Sequence, residues 1–333
     1  VRRRDIQELR MLILTRSELL LSGLKERGIA RQVRDGVLLR LTKGLYVVAE
    51  SLQSLTPEER HLVMVFAVAT TMRTESLFSS YSAAALWGLP LYEFRAAPPQ
   101  TLVSHTVNVS NTRTVVRRVA HYSDAEVAKI GGVYCTSLPR TILDLARLDT
   151  PERAIACADA AMSLLFPVDR GAGMSDAAQV WRQELLDQLG RERGGRGVRR
   201  AANVIRLADG SADSPLESVA RLRFVSHGYA VASQVEVPAP GGHRYHIDLE
   251  LLGLGIFCEV DGKQKYTEPE FRGGLTAEEV VFREKKRAEW IENKTRKRVH
   301  RLGYAELRTP ATFTRWLRDA RIPAPRAVAA ETV

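Results

Sequence analysis

Residues 243–263 read HRYHIDLELLGLGIFCEVDGK, and the spacing of their acids decides how the last third of the chain is read. Two apolar-rich runs flank Gly253-Leu254-Gly255, which predicts paired strands across a tight turn. Side chains alternate along a strand, so His246, Asp248 and Glu250 are expected on one face of the first strand. On the second strand Phe257, Glu259, Asp261 and Lys263 share a face. Ile247 and Leu249, with Ile256, Cys258 and Val260, are assigned to the opposite side. Carboxylates grouped within otherwise apolar strands repel one another, and burial adds to the cost unless a cation or basic side chains neutralise them. Hard oxygen ligands of this kind suit Mg²⁺, which takes one or two protein carboxylates and completes its octahedron with water and substrate phosphate. The alternative is a solvated charge pattern or a salt-bridge set with Lys263, Lys265 and the basic helix beyond.

The surrounding pattern is helix, strand, strand, strand, helix, strand. Ser214 and Pro215 are an N-cap and first-turn residue for a helix carrying Glu217, and Gly228 ends it. VASQVEVPA (231–239) is a strand, closed by the Pro240-Gly241-Gly242 turn.

Toward the N-terminus, residues 1–52 predict three helices and a hairpin. Ser17 is read as the cap of the helix through Leu19–Leu21, Gly23 as a turn, and VLLRLTKGLYVV (37–48) as two strands joined at Thr42-Lys43-Gly44. This is the order of a winged helix-turn-helix, whose second helix presents Lys25, Arg27, Arg31, Gln32 and Arg34 while the wing adds Arg40 and Lys43. Residues 53–206 are expected to be mostly helical with one β-hairpin, TLVSHTVNVS (101–110) turning at Asn111-Thr112-Arg113 into TVVRRVAHYS (114–123). RERGGRGVRR (191–200) lacks a P-loop's Gly-Lys-Ser/Thr and is read as a solvated basic connection. A frayed tail is expected over 323–333.

Composition agrees with a soluble, cytoplasmic protein. The chain has 333 residues, 45% of them hydrophobic and 26% charged. No apolar run reaches the roughly 18 to 20 residues of a membrane span, and VRRRDIQELRMLIL is too interrupted by charge for a leader. Three scattered cysteines without a CxxC argue against disulfide or zinc frameworks. A net charge of +10 favours a polyanionic partner. DNA is the expected one, with RNA left open, no membrane, and a homodimer as the assembly that a double-strand cut calls for.

YHIDLE (245–250), FCEVDGKQKY (257–266), FREKKRAEW (282–290) and RLGYAELR (301–308) together resemble the Vsr-like endonuclease branch of the PD-(D/E)XK superfamily over about 214–309. The resemblance implies a mixed sheet flanked by helices and a Mg²⁺- (or Mn²⁺-) dependent phosphodiesterase site. Asp248 and Glu259 would be metal ligands, Glu217 an accessory acid, and Lys265 the cation that stabilises the transition state. Glu284, Lys285 and Arg287 would stand nearby to hold phosphate. Asp261 occupies the position where the superfamily has its lysine. RQVRDGVLLRLTKGLYVV (31–48), YSAAALWGLPL (81–91) and SLPRTILDLAR (137–147) resemble AbiEi-type antitoxins, implying DNA binding and autoregulation. The expected fold is α/β (α+β overall), with a winged helix-turn-helix, a middle domain, and a restriction-endonuclease-like domain over 207–322. The expected function is a DNA-binding metal-dependent nuclease; the alternative is a transcriptional regulator or antitoxin-like protein whose nuclease-like domain is inactive.

Overall fold

The computed structural model describes residues 4–72, 77–103, 111–167, 171, 173–261 and 277–325, with 277–281 described by backbone alone. The fold is α+β, and the chain divides into two compact units: Val1–Cys157 with Glu192–Ala201, and Ala158–Arg191 with Ala202–Val333. The expected 53–206 segment is thus shared between them.

In the first unit, α1 (Ile6–Met11), β1 (Leu14–Thr15), α2 (Arg16–Leu21), α3 (Glu26–Arg34), β2 (Leu38–Thr42) and β3 (Leu45–Val48) follow the winged-helix order. The three strands form a sheet in the order β1-β3-β2. Thr15, not Ser17, caps α2: its side chain accepts from the Glu18 N–H while Glu18 reaches back to the Thr15 N–H, a reciprocal capping box. Gly44, at φ +79°, makes the hairpin turn that a side chain would strain. Leu19, Ile29, Leu38 and Tyr46 form the small core, flanked by Leu14, Leu24, Val33 and Val48.

Next come α4 (Pro57–Thr71), β4 (Leu77–Phe78), α5 (Ser80–Leu86), β5 (Gln100–Val103), β6 (Val116–Val119), β7 (Val127–Ile130), β8 (Val133–Thr136), α6 (Leu138–Leu148) and α7 (Pro151–Leu165), which belongs to the first unit up to Cys157 and to the second from Ala158. The strands build one five-stranded sheet, β6-β5-β4-β8-β7. Of the expected hairpin between 101–110 and 114–123, residues 104–110 lie outside the described residues; where the two segments are described the expectation is corrected, because β5 and β6 pair in parallel. A local turn does form, with the Thr112–Val115 bridge and the Arg117 N–H donating to Asn111 Oδ1, but it does not set the partner of either strand. Among the described residues of this segment the hairpin is β7–β8, antiparallel across Gly131-Gly132. The RERGGRGVRR stretch is largely exposed, as expected of a solvated connection, and it is also held in place. Arg147 pairs with Glu192, Arg200 donates to the Arg147 carbonyl at 2.6 Å, and a Cβ on Gly197 would collide with that carbonyl.

The second unit contains α8 (Asp176–Arg191), α9 (Val198–Leu207, from Ala202 onward), α10 (Pro215–Ser226), β9 (Val231–Pro238), β10 (Arg244–Leu251), β11 (Ile256–Asp261), α11 (Ala277–Thr295), β12 (Arg298–Gly303), α12 (Tyr304–Leu307) and α13 (Pro310–Asp319). Its sheet runs β12-β11-β10-β9, with β9, β10 and β11 antiparallel and β12 parallel to β11. Helices cover both faces. Ile291 of α11 packs with Phe257, whereas His300, in register with Cys258 on the other face, meets Trp316 of α13. Phe224 of α10 joins that second layer, 4.9 Å from Phe313. At the tail, the Tyr229 hydroxyl donates to the Pro323 carbonyl, so the first residues of the expected frayed segment are docked.

One strand departs from simple alternation. Ile247, expected opposite Phe257, lies in the same apolar cluster as Phe257 and Ile291, while Glu250 pairs with Lys297, whose ammonium sits over the Phe257 ring. Ile247 and Glu250 therefore both face α11, three residues apart. The neighbouring strand is irregular at the same level: Gln234 has φ +49°, and the β9–β10 pairing passes from Ile247–Val235 to Leu249–Ser233 without using Asp248 and Gln234. Left-handed backbone inside a strand turns the following side chains to the other face.

Candidate functional site

The break in alternation falls at Asp248. Pairing between β10 and β11 runs from Leu251–Ile256 to Leu249–Cys258 and stops, and beyond it the Val260 N–H donates to Asp248 Oδ2 at 2.7 Å in place of a strand carbonyl. The carboxylate is thereby fixed in the opening between the two strands.

Glu217 reaches this point from the first turn of α10. Ser214 Oγ donates to one of its oxygens at 2.8 Å; the Asp213 N–H and Gln234 Nε2 donate to the other at 2.9 and 3.0 Å. Despite three donors its carboxyl is pushed up to about 7, first by burial and then by the charge of Asp248. Glu259, only 6% exposed, is also raised by burial. Arg287 and Arg301 pull it back, and the charges of Asp248 and Asp261 push it further up. Asp248 thus acts on both glutamates.

Two arginines balance the acids. Arg287 of α11 places Nη1 2.9 Å from Glu259 Oε1, close enough for ion pairing but not aligned as a hydrogen bond, and Nη2 donates to the His246 carbonyl at 2.6 Å. Its guanidinium also lies over the Tyr245 ring. Arg301 is in direct register with Glu259 on parallel strand β12. It stands 3.5 Å from Glu259 Oε2, 4.0 Å from Asp261 Oδ2, and donates to Glu284 Oε2 at 2.7 Å.

Glu217, Asp248, Glu259, Asp261, Glu284 and Arg287 are therefore connected through shared contacts or fields. Lys285 is not drawn in; it is exposed and 4.0 Å from Glu289 on its own helix. Lys263 and Lys265 lie outside the described residues. Arg301 is not legible in the sequence as the partner of Glu259, because its place opposite Glu259 depends on a parallel register between segments joined by a whole helix. The alternation of Val299 and Arg301 in RVHRLG indicates a face, not a partner.

Among the described residues, no three His, Cys, Asp or Glu side chains are arranged as a ready metal cage. The donors nonetheless suit a hard dication that needs only one or two carboxylates. They are oxygen atoms in mutual repulsion, and Glu259 Oε1 is buried without a hydrogen bond.

The basic residues of the first unit are arranged differently. Arg27, Arg31 and Arg34 recur along one side of α3, opposite the buried Ile29, and with Lys25 they are solvent-exposed; Gln32 is half-buried. Arg40 and Lys43 are exposed on the wing. None of Lys25, Arg27, Arg31, Arg40 or Lys43 is tied to a carboxylate by an ion pair among the described residues, and Arg34 only approaches Asp35 at 3.8 Å. Among the described residues no helix is long and apolar enough to cross a membrane.

No family model matches the chain. It is 25% identical over 241 residues to two uncharacterized proteins of Mycobacterium tuberculosis, from strains CDC 1551 / Oshkosh and ATCC 25618 / H37Rv, covering 72% of this chain and 79% of each relative. A crystal structure of the RV2827C protein of M. tuberculosis aligns at 14% identity with a TM-score of 0.35, over 71% of this chain and 87% of that one.

Proposed function

We propose that the chain is a cytoplasmic, DNA-binding, metal-dependent nuclease, with Asp248 and Glu259 as ligands of Mg²⁺ or Mn²⁺ and Glu217 as the accessory acid. The observation that carries this reading is geometric: the half-buried Asp248, held by the Val260 N–H, and the buried Glu217, held by three donors, are carboxylates oriented at a point where the strands open, and the charge of Asp248 acts on Glu217. A dication there would polarise a scissile phosphate and activate water. The residues of this chain would do the rest. Asp248 is oriented by the Val260 N–H, Glu217 by its three donors, and Arg287 and Arg301 stand ready to pair with phosphate oxygens when a cation takes over the neutralisation of Glu259. The exposed stripe Arg27, Arg31, Arg34 and the wing residues Arg40 and Lys43 would hold the duplex backbone.

A second reading has its own support. Glu259 is already paired with two arginines and Asp261 stands in place of a lysine, as suits a regulator whose acid site grips structure instead of metal. Supercoiled plasmid incubated with Mg²⁺ or Mn²⁺, with a chelator as control, separates the two. Metal-dependent nicking is expected; DNA binding without nicking on any DNA or RNA substrate favours the regulator.

A further inference from the structure

The second unit holds a feature that the acid site does not use. A cavity of about 500 Å³ lies between α8, the end of α9, α10 and the start of β9, within the size range of small-ligand pockets. Tyr229 and Val225 give it apolar wall, and Arg182, Arg206 and Arg221 give it charge. Arg221 is 5% exposed. Its terminal nitrogens are taken by Asp159 at 2.5 Å and Asp209 at 3.3 Å, yet its Nε–H is buried with no hydrogen-bond partner among the described residues. Buried donors without partners are scarce in folded proteins and point to a missing acceptor.

We propose that this cavity binds a small phosphate-bearing ligand of about mononucleotide size, its phosphate toward Arg182, Arg206 and the Arg221 Nε–H and its flat body along Tyr229 and Val225. Three guanidinium groups stand against the two carboxylates of Asp159 and Asp209, which leaves a net positive lining. Arginine forks match phosphate oxygens in geometry as well as sign. Arg182 is pre-positioned by the carbonyls of Arg206 and Ala208, at 3.4 and 3.3 Å, and Arg206 is at the exposed rim. Binding here is independent of the nuclease reading. It bears on that site all the same, because Gln234 both lines the cavity and donates to Glu217.

The test is calorimetric titration of the full chain at low salt with a nucleoside monophosphate, the matching nucleoside and inorganic phosphate. The variants are Arg206→Glu, at the exposed rim, and Ser233→Leu, on the strand face turned toward Asp209, which fills the cavity; both are first checked for native circular dichroism. One nucleotide per chain should bind, more tightly than phosphate and much more tightly than the nucleoside. Arg206→Glu should weaken it roughly tenfold or more, the equivalent of one charge-assisted hydrogen bond, and Ser233→Leu should remove it. Equal affinity for nucleoside and nucleotide, wild-type affinity in both variants, or no binding of the nucleotide at millimolar concentration overturns the proposal.

Discussion

The acid site on β10–β11 and the basic stripe on α3 use charge in opposite environments. Glu259 and Glu217 are almost wholly buried, and their protonation is set by burial and by neighbours within a few ångströms. Arg27, Arg31 and Arg34 stand in water, where ion pairs are weak and salt screens them. A buried charge is costly and must be neutralised by specific partners, so it reports a constrained local geometry. An exposed charge costs little and acquires its energy from whatever polyanion arrives. Substitutions in the two regions should therefore fail differently, the first in chemistry and pH dependence, the second in affinity and salt dependence.

The largest effect is expected at the acid site. Asp248→Ala and Glu259→Ala should each abolish metal-dependent cleavage while DNA affinity, measured by anisotropy, stays equal or rises, because a negative charge near phosphate is removed. Cleavage at the wild-type rate by either variant would exclude that residue from the site. Next comes Glu217. Its folded carboxyl titrates at about 7 against an ordinary value of 4.5, so the folded state holds its proton more tightly than the unfolded state. That contribution is fully present below about pH 4.5 and is lost as pH rises toward 7, amounting to about 3 kcal/mol. Glu217→Gln keeps the hydrogen-bonding shape without the charge. Urea midpoints of wild type should fall relative to those of the variant between pH 5 and 7.5; parallel curves would mean that Glu217 is already ionised.

How far the sequence discloses this arrangement depends on the range of the interaction. The order α10, β9, β10, β11, α11, β12 is legible because Ser214-Pro215 and alternating apolar residues are local signals. So is the clustering of Asp248 with Glu259, since one short turn sets their strands side by side. The partner of Glu259 is not legible: Arg301 arrives through a parallel pairing that no local pattern encodes. The turn at Asn111-Thr112-Arg113 shows the reverse error, for it forms as expected while β5 and β6 pair in parallel through the larger sheet. Gln234, whose left-handed backbone lies beside the break in β10, has no sequence signal, because such a conformation favours Gly or Asn.

On the exposed side, Arg31→Ala combined with Arg34→Ala should weaken DNA binding and lower the slope of log K against log salt by roughly 0.9 for each phosphate no longer neutralised. Cleavage of DNA at saturating concentration should be unchanged. An unaltered slope would mark α3 as a surface for protein and not for DNA.

The smallest effect tests whether the first unit owes its stability to caps and not to its abundant surface charge. Thr15 accepts the Glu18 N–H at 3.1 Å, and the Glu18 carboxylate accepts the Thr15 N–H at 2.7 Å, so one residue pair satisfies groups that the start of α2 would otherwise leave open. Thr15→Ala should cost about 1 kcal/mol, the usual penalty for removing an N-cap. Arg16, one residue later, is paired with Glu26 in the open, and Arg16→Ala should leave stability unmoved because exposed pairs gain little against water and side-chain entropy. Amide exchange resolved by residue checks both. Thr15→Ala should speed exchange in α1–α3 and leave β9–β12 as it was, whereas equal destabilisation in the two variants would mean that the surface ion pair, and not the cap, holds α2 in place.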